Sequence, residues 1–220
     1  MYVNTSPATT WDRLSPVWRA AVEEAWAAYA AGTVPVGAVL ADRDDRIVAR
    51  GRNRIWAGDR VAGTLAGTRL AHAEVNALLG LTGLDVDARA LALYTTTEPC
   101  PLCVGAIVMA NVREIRYASR EPLAGSVTLV DATPYIRSKA IAVHPPTDAR
   151  LEAAFIAIGT EFHLRGAGPR GAGLVALSRE VQPAAVALGE RLHAGGAFRE
   201  LSHLSAADGL ERLASALDFP

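Results

Sequence analysis

The chain has 220 residues, half of them hydrophobic, enough to bury one full core and leave an appendage. A formal net charge of -1 excludes a global positive field that would draw it onto nucleic acid. No stretch reaches the roughly 18 apolar residues that a bilayer span needs, and residues 1–10 lack a charged region followed by an apolar run. A cytoplasmic location is therefore the default expectation, with no membrane partner.

In chain order, residues 1–14 read as a loose arm. Ser15-Pro16 is an N-cap followed by proline at the first helical position. Residues 17–31 follow as a helix with Trp18, Val22, Trp26 and Tyr29 at helical spacing, and Gly32 stops it. Residues 36–41 read as a buried strand, which Asp44-Asp45 turns into a second strand over 46–51. A glycine-containing loop covers 59–68. Helix is expected over 71–79, strand over 91–97, helix over 103–109 and strand over 114–118. Strands alternating with helices imply an α/β layered domain. Further on, residues 127–130 and 140–143 read as strands and 151–158 as helix. Residues 166–173, rich in glycine, form the best linker candidate, and Arg165 and Arg170 beside them read as a solvated loop. Two helices close the chain, 174–193 (interrupted near Pro183) and 205–217.

The chemistry is concentrated in His72-Ala73-Glu74, opening one helix, and Glu98-Pro99-Cys100-Pro101-Leu102-Cys103, opening another directly after a strand. This H-x-E followed by P-C-x-x-C is the pattern of the zinc deaminases. One imidazole and two thiolates suit Zn²⁺ and leave its fourth tetrahedral position open. Cysteines at i and i+3 share a helix face, and a helix N-terminus favours their deprotonation. His72, Cys100 and Cys103 are thus the expected zinc ligands. Glu74 is too close to His72 to share a face along a regular helix, but at the opening turn both can point into one cleft. There it can carry protons between the attacking water and the departing amine.

These residues, with Val34-Pro35-Val36-Gly37-Ala38-Val39 and Gly51-Arg52-Asn53-Arg54 ahead of them, resemble the cytidine deaminase-like superfamily, and most closely its guanine and tRNA-adenosine deaminase branch. The resemblance covers residues 17–126, about half the chain. It implies a three-layer α/β/α fold with a mixed five-stranded sheet, to which a mostly helical C-terminal extension is added here. The chain accordingly divides into a zinc deaminase core (15–126), its continuation (127–165) and the extension (166–220). The resemblance also implies that Asn53 contacts substrate, that the Ala73 backbone reads the amide edge of a base, and that the protein forms a homodimer. Trp56, near the pocket, is a candidate for stacking on a heterocycle.

Two departures bear on the substrate. The segment from Ile55 to Ala71 is longer than in the tRNA enzymes, and the tail from Glu121 onward holds 9 basic against 11 acidic residues, ending Leu217-Asp218-Phe219-Pro220. An acidic tail suits a phosphate-binding surface poorly and a lid or oligomer contact better. The favoured partner is a free nucleobase, nucleoside or related amino-heterocycle, with adenosine in a tRNA loop as the alternative. A Cys-x-x-Cys pair alone also fits a thiol-redox protein, which the upstream His-x-Glu disfavours. A structural zinc site would need a fourth ligand from His144, His163, His193 or His203, none at knuckle spacing.

Overall fold

Every residue of the strand Gly37–Ala41 (β1) is buried, and the layers of the molecule follow from that. A computed structural model describes residues 9–166 and 168–217. β1 lies inside a five-stranded sheet of order β2-β1-β3-β4-β5, where β2 is Ile47–Arg52, β3 Ala92–Thr95, β4 Glu114–Tyr117 and β5 Ala142–His144. It runs antiparallel to β2 and β3, whereas β3, β4 and β5 are mutually parallel. The period-2 alternation of a strand sends Val39, Ala41, Ala92 and Tyr94 to one face and Ala38, Leu40, Leu93 and Ile115 to the other. The first set meets Val17, Ala20 and Ala21 of the helix Pro16–Ala30 (α2), which follows the short helix Thr10–Arg13 (α1). The second set meets Ala73 and Ala77 of Ala73–Leu79 (α3) and Ile107 of Pro101–Met109 (α4). Helices on both faces of a mixed sheet make the three-layer α/β/α architecture expected from the sequence.

Close approach locks these layers. A Cβ on Gly37 would collide with the backbone of α2 at Ala21 and Ala25. One on Gly51 would collide with the backbone of α3 at Ala73 and Ala77, so α3 rests directly on β2.

The C-terminal half adds a layer of helices. After Pro134–Arg137 (α5) come Ala149–Gly166 (α6), Gly168–Val181 (α7), Pro183–Ala194 (α8), Phe198–Leu201 (α9) and Ala206–Ser215 (α10). α2 carries a second apolar face, and its Val22, Ala25, Trp26 and Tyr29 join one buried cluster with Ile158, Phe162, Val186, Leu210 and Leu213. The polar tips are satisfied as well: Tyr29 Oη donates to Glu161 Oε2 at 2.8 Å, and Trp26 Nε1 donates to the Leu204 carbonyl at 3.0 Å. The expected boundary at 165/166 does not coincide with a gap in packing, because α6, α8 and α10 share this cluster with α2.

Several elements differ from the sequence reading. Residues 9–14 are not a loose arm: Thr9 and Asp12 form a capping box, and the Trp11 amide donates to Glu211 Oε1 at 2.6 Å, tying α1 to α10. Residues 1–8 of that arm lie outside the described residues, as do residues 218–220. The apolar run at 127–130 is a 3-10 helix, Val127–Asp131, because its i, i+3 spacing turns Val127 and Val130 together toward the α3/α4 side. Residues 166–173 are no linker, since α7 begins at Gly168 and is held by buried Leu174 and Val175. Arg165 is not a solvated loop residue; its guanidinium lies 3.7 Å over the Phe198 ring and its Nε donates to Glu161. The Arg170 side chain lies outside the description. The interruption expected near Pro183 is present: α7 and α8 are divided at Gln182, whose backbone leaves helical angles.

Candidate active site

The two helix starts that carry the sequence motifs meet beside the end of β3. His72 is the N-cap of α3, with extended backbone (ψ 155°). Cys100 is the N-cap of α4, Pro101 begins that helix, and Cys103 lies in its first turn. His72 Nδ1 stands 3.5 Å from Cys100 Sγ and 3.4 Å from Cys103 Sγ, and the two sulfurs are 3.6 Å apart. A tetrahedral Zn²⁺ with bonds of about 2.3 Å to sulfur and about 2.0 Å to nitrogen spaces its ligand atoms by about 3.5–3.8 Å. The triangle therefore fits one zinc ion, and among the described residues these three are the group of histidine, cysteine and acidic side chains that can hold a metal.

The surroundings tune the ligands. The Arg69 backbone accepts a hydrogen bond from His72, which fixes the ring and supports its metal-facing nitrogen. The Cys100 thiol is drawn down to about 4, first by the hydrogen bond it receives from Cys103 and then by His72. Cys103 is pushed up in turn, because it gives that bond and is buried. A bound cation would favour the thiolate form of both sulfurs and release protons on binding.

Glu74 is buried in the first turn of α3, and burial raises its carboxyl above the usual range. Thr95 Oγ1 lies 3.4 Å from Glu74 Oε1. Because His72 is an extended cap and not a full helical residue, its side chain and that of Glu74 line one pocket despite the short spacing. That pocket holds about 210 Å³, with Val34, Val36 and Ile55 as apolar wall and Cys100 at its base.

Asn53, buried just after β2, lines the same pocket. Its Oδ1 accepts from Thr33 Oγ1 at 2.8 Å and from the Ile55 amide at 3.1 Å, which leaves the side-chain NH₂ to face the pocket. Ala73 is fully buried with its methyl against the sheet, so only its backbone is available. Trp56 is not brought to the pocket: its ring is 58% exposed and stacks on Phe162 at 5.4 Å. The sequence reading missed Glu121 and Ala124 in the pocket wall and Thr33 as the clamp on Asn53. Residues this far from the motif carry no local signal.

Residues 12–119 match the cytidine and deoxycytidylate deaminase zinc-binding region. Residues 12–119 thus form a domain of the cytidine deaminase-like superfamily. Within this superfamily the chain is 33% identical over 113 residues to the tRNA-specific adenosine deaminase of Bacillus subtilis, covering 48% of this chain and 61% of that protein. It is 36% identical over 107 residues to the guanine deaminase of the same organism, covering 46% and 60%. The chain thus spans about 60% of the length of these two deaminases. A solved structure from work on A-to-I editing by tRNA:A34 deaminases is similar with a TM-score of 0.53 at 28% identity, covering 63% of this chain and 97% of that one. Among the described residues of the chain, no helix is long and apolar enough to cross a membrane.

Proposed function

We propose that the protein is a zinc-dependent hydrolytic deaminase of a free nucleobase, nucleoside or related amino-heterocycle. The observation that carries this is the buried Glu74 carboxyl in a pocket that His72 and Cys100 also line, with Cys103 Sγ 3.6 Å behind Cys100 Sγ. His72, Cys100 and Cys103 would hold zinc, which when bound would acidify the water that serves as nucleophile. Glu74 takes the proton that this water gives up as its oxygen bonds to the amine-bearing ring carbon. It hands that proton to the ring nitrogen, then takes the remaining proton from the new hydroxyl and gives it to the amine, so that the C–N bond breaks and ammonia leaves a ring carbonyl behind. Asn53, held rigid by Thr33 and Ile55, presents its NH₂ to an acceptor on the heterocycle. Val34, Val36 and Ile55 sandwich the ring and keep bulk water out. The backbone of Ala73 offers an edge to the base, and Trp56 has no part in stacking on it.

The wall chemistry favours a small neutral substrate over RNA. Glu74, Glu98 and Glu121 line the pocket and none of its lining residues is lysine or arginine, a poor setting for phosphates. A reducing compartment such as the cytoplasm suits the site, because a Cys100–Cys103 disulfide would remove two of three ligands. Residues 15–126 carry the chemistry, 127–165 continue the core, and 166–220 form the extension against α2 and α6. The chain is a homodimer in this reading, through the apolar outer face of α4 and its surroundings.

The test is ammonia release by the zinc-loaded protein on free bases, nucleosides, nucleotides, aminotriazines and an unmodified tRNA. Turnover of a small heterocycle with tRNA inert is the expected result. Turnover of tRNA alone would make this an RNA-editing enzyme, as the likeness to tRNA deaminases allows.

A further inference from the structure

A second hollow adjoins the metal pocket. The two share Val34, Val36, Thr97 and Glu121 as common wall. The far side of the second hollow is made by α6 and α7, through Phe155, Thr160, His163, Leu174 and Ser178. These residues lie beyond the 12–119 stretch that matches the deaminase region, so this wall comes from the part of the chain that follows it. The space is about 80 Å³, several times what one water needs (about 10–15 Å³).

His163 is the unusual member of that wall. It is half-buried, and its ring lies edge-on to Phe162 at 5.3 Å. Burial draws its pKa down to about 4, so at neutral pH it offers one donor and one acceptor and no charge. The other charged groups are occupied. Arg120 gives its backbone amide, Nε and Nη2 to the Glu152 carboxylate, and Glu121 accepts the amides of Leu123 and Ala124. The hollow therefore has no free cation for a phosphate, and it has an imidazole and the hydroxyls of Thr160 and Ser178 for a neutral polar group.

We infer that this hollow is a substituent subsite of the same active site, and that it takes an uncharged, hydroxyl-bearing group such as the sugar of a nucleoside, read by His163. The inference rests on the deaminase reading and narrows its substrate class. The heterocycle enters the metal pocket, and the substituent passes the shared wall at Val34 and Thr97 to reach α6 and α7.

The experiment is titration calorimetry on zinc-loaded protein carrying Glu74→Gln, so that no probe is consumed. The probes are guanosine, adenosine and cytidine, their free bases and their 5′-monophosphates. At least one nucleoside is expected to bind about tenfold or more tighter than its base. Adding His163→Phe removes that preference, while affinity for the base and one zinc per chain are retained. Should that variant fold poorly, Ser178→Leu fills the hollow from α7 and is expected to do the same. Equal binding of nucleoside and base, a preference that survives both variants, tightest binding of a monophosphate, or no binding at all would each overturn the inference. Ammonia release by the wild-type protein separates the two readings. Nucleoside preference without turnover refutes the deaminase and keeps the subsite, whereas turnover of bases with nucleosides excluded refutes the subsite alone.

Discussion

Glu74 is closed off by protein on most sides, yet its carboxyl opens on the pocket at the level of the metal ligands. Glu74→Gln keeps the size and the contact with Thr95 Oγ1 and removes the ability to carry a proton. The variant is expected to hold one zinc per chain and to lose about 10²- to 10⁴-fold in kcat. Residual activity near the wild-type level in a steady-state ammonia assay would remove Glu74 from the proposed role. Cys103→Ala acts on the other half of the chemistry. Two ligands remain, the sulfur that lay 3.4 Å from His72 Nδ1 is gone, and metal analysis after dialysis is expected to find the site empty. Full occupancy would mean a different ligand set. His163 supplies a pH signal separate from the metal. Its folded pKa is about 4 and an unfolded histidine titrates near 6.5, so the unfolded chain takes up the proton first as pH falls. Folding stability is thus fully present above about pH 6.5, declines from there to about pH 4 and levels off below. Urea unfolding at a series of pH values should show a shallower decline for His163→Phe; parallel profiles would argue against a neutral buried imidazole.

The position of α3 depends on a residue without a side chain. Gly51 lets the helix sit on β2, and a methyl there would meet the α3 backbone at Ala73 and Ala77, where nothing flexible can yield. Gly51→Ala is expected to cost about 1–3 kcal/mol in urea unfolding. It should also weaken zinc retention against a chelator, because His72 begins the helix that has to lift; unchanged zinc affinity would show that the ligand triangle is independent of this packing. The elements nearest the site were legible in the sequence. Short continuous apolar runs marked β1 and β3, Ser15-Pro16 marked the start of α2, and the two motifs marked their helix starts within a residue or two. Chemistry that is local in sequence leaves a local trace. What was missed is long-range. Thr33 clamps Asn53 from 20 residues away, and Trp56 is turned outward by Phe162, which belongs to a helix more than a hundred residues on. Glycine content suggested a linker at 166–173, where burial of Leu174 and Val175 holds a helix instead. The extension did leave one sign in α2, whose apolar residues occupy two faces while a sheet can cover only one.

At the scale of the whole molecule, α4 is apolar nearly all round, although only part of it faces the sheet. Cys103 and Ile107 are fully buried, while Leu102 is 37% and Met109 68% exposed, with Gly105 exposed between them. Leu123 and Tyr135 are exposed as well, and the Tyr135 hydroxyl lies 3.8 Å from Met109 Sδ. Exposed apolar surface of this kind suits an association site, and in the homodimer proposed above a second copy of the same face would cover it symmetrically. Leu102→Glu with Met109→Glu places like charges opposite one another across such an interface and is expected to leave a monomer in light scattering. A variant that stays dimeric would assign the contact to another face. Because Cys100 and Cys103 stand at the start of α4, such an interface would couple assembly to metal binding through one helix, restraining α4 on its outer side and stabilising the arrangement that holds the ion. The monomeric variant is therefore expected to release zinc faster to a chelator, with the ligand residues untouched. Equal release rates for monomer and dimer would show that the ligand triangle is held by α3 and the sheet alone.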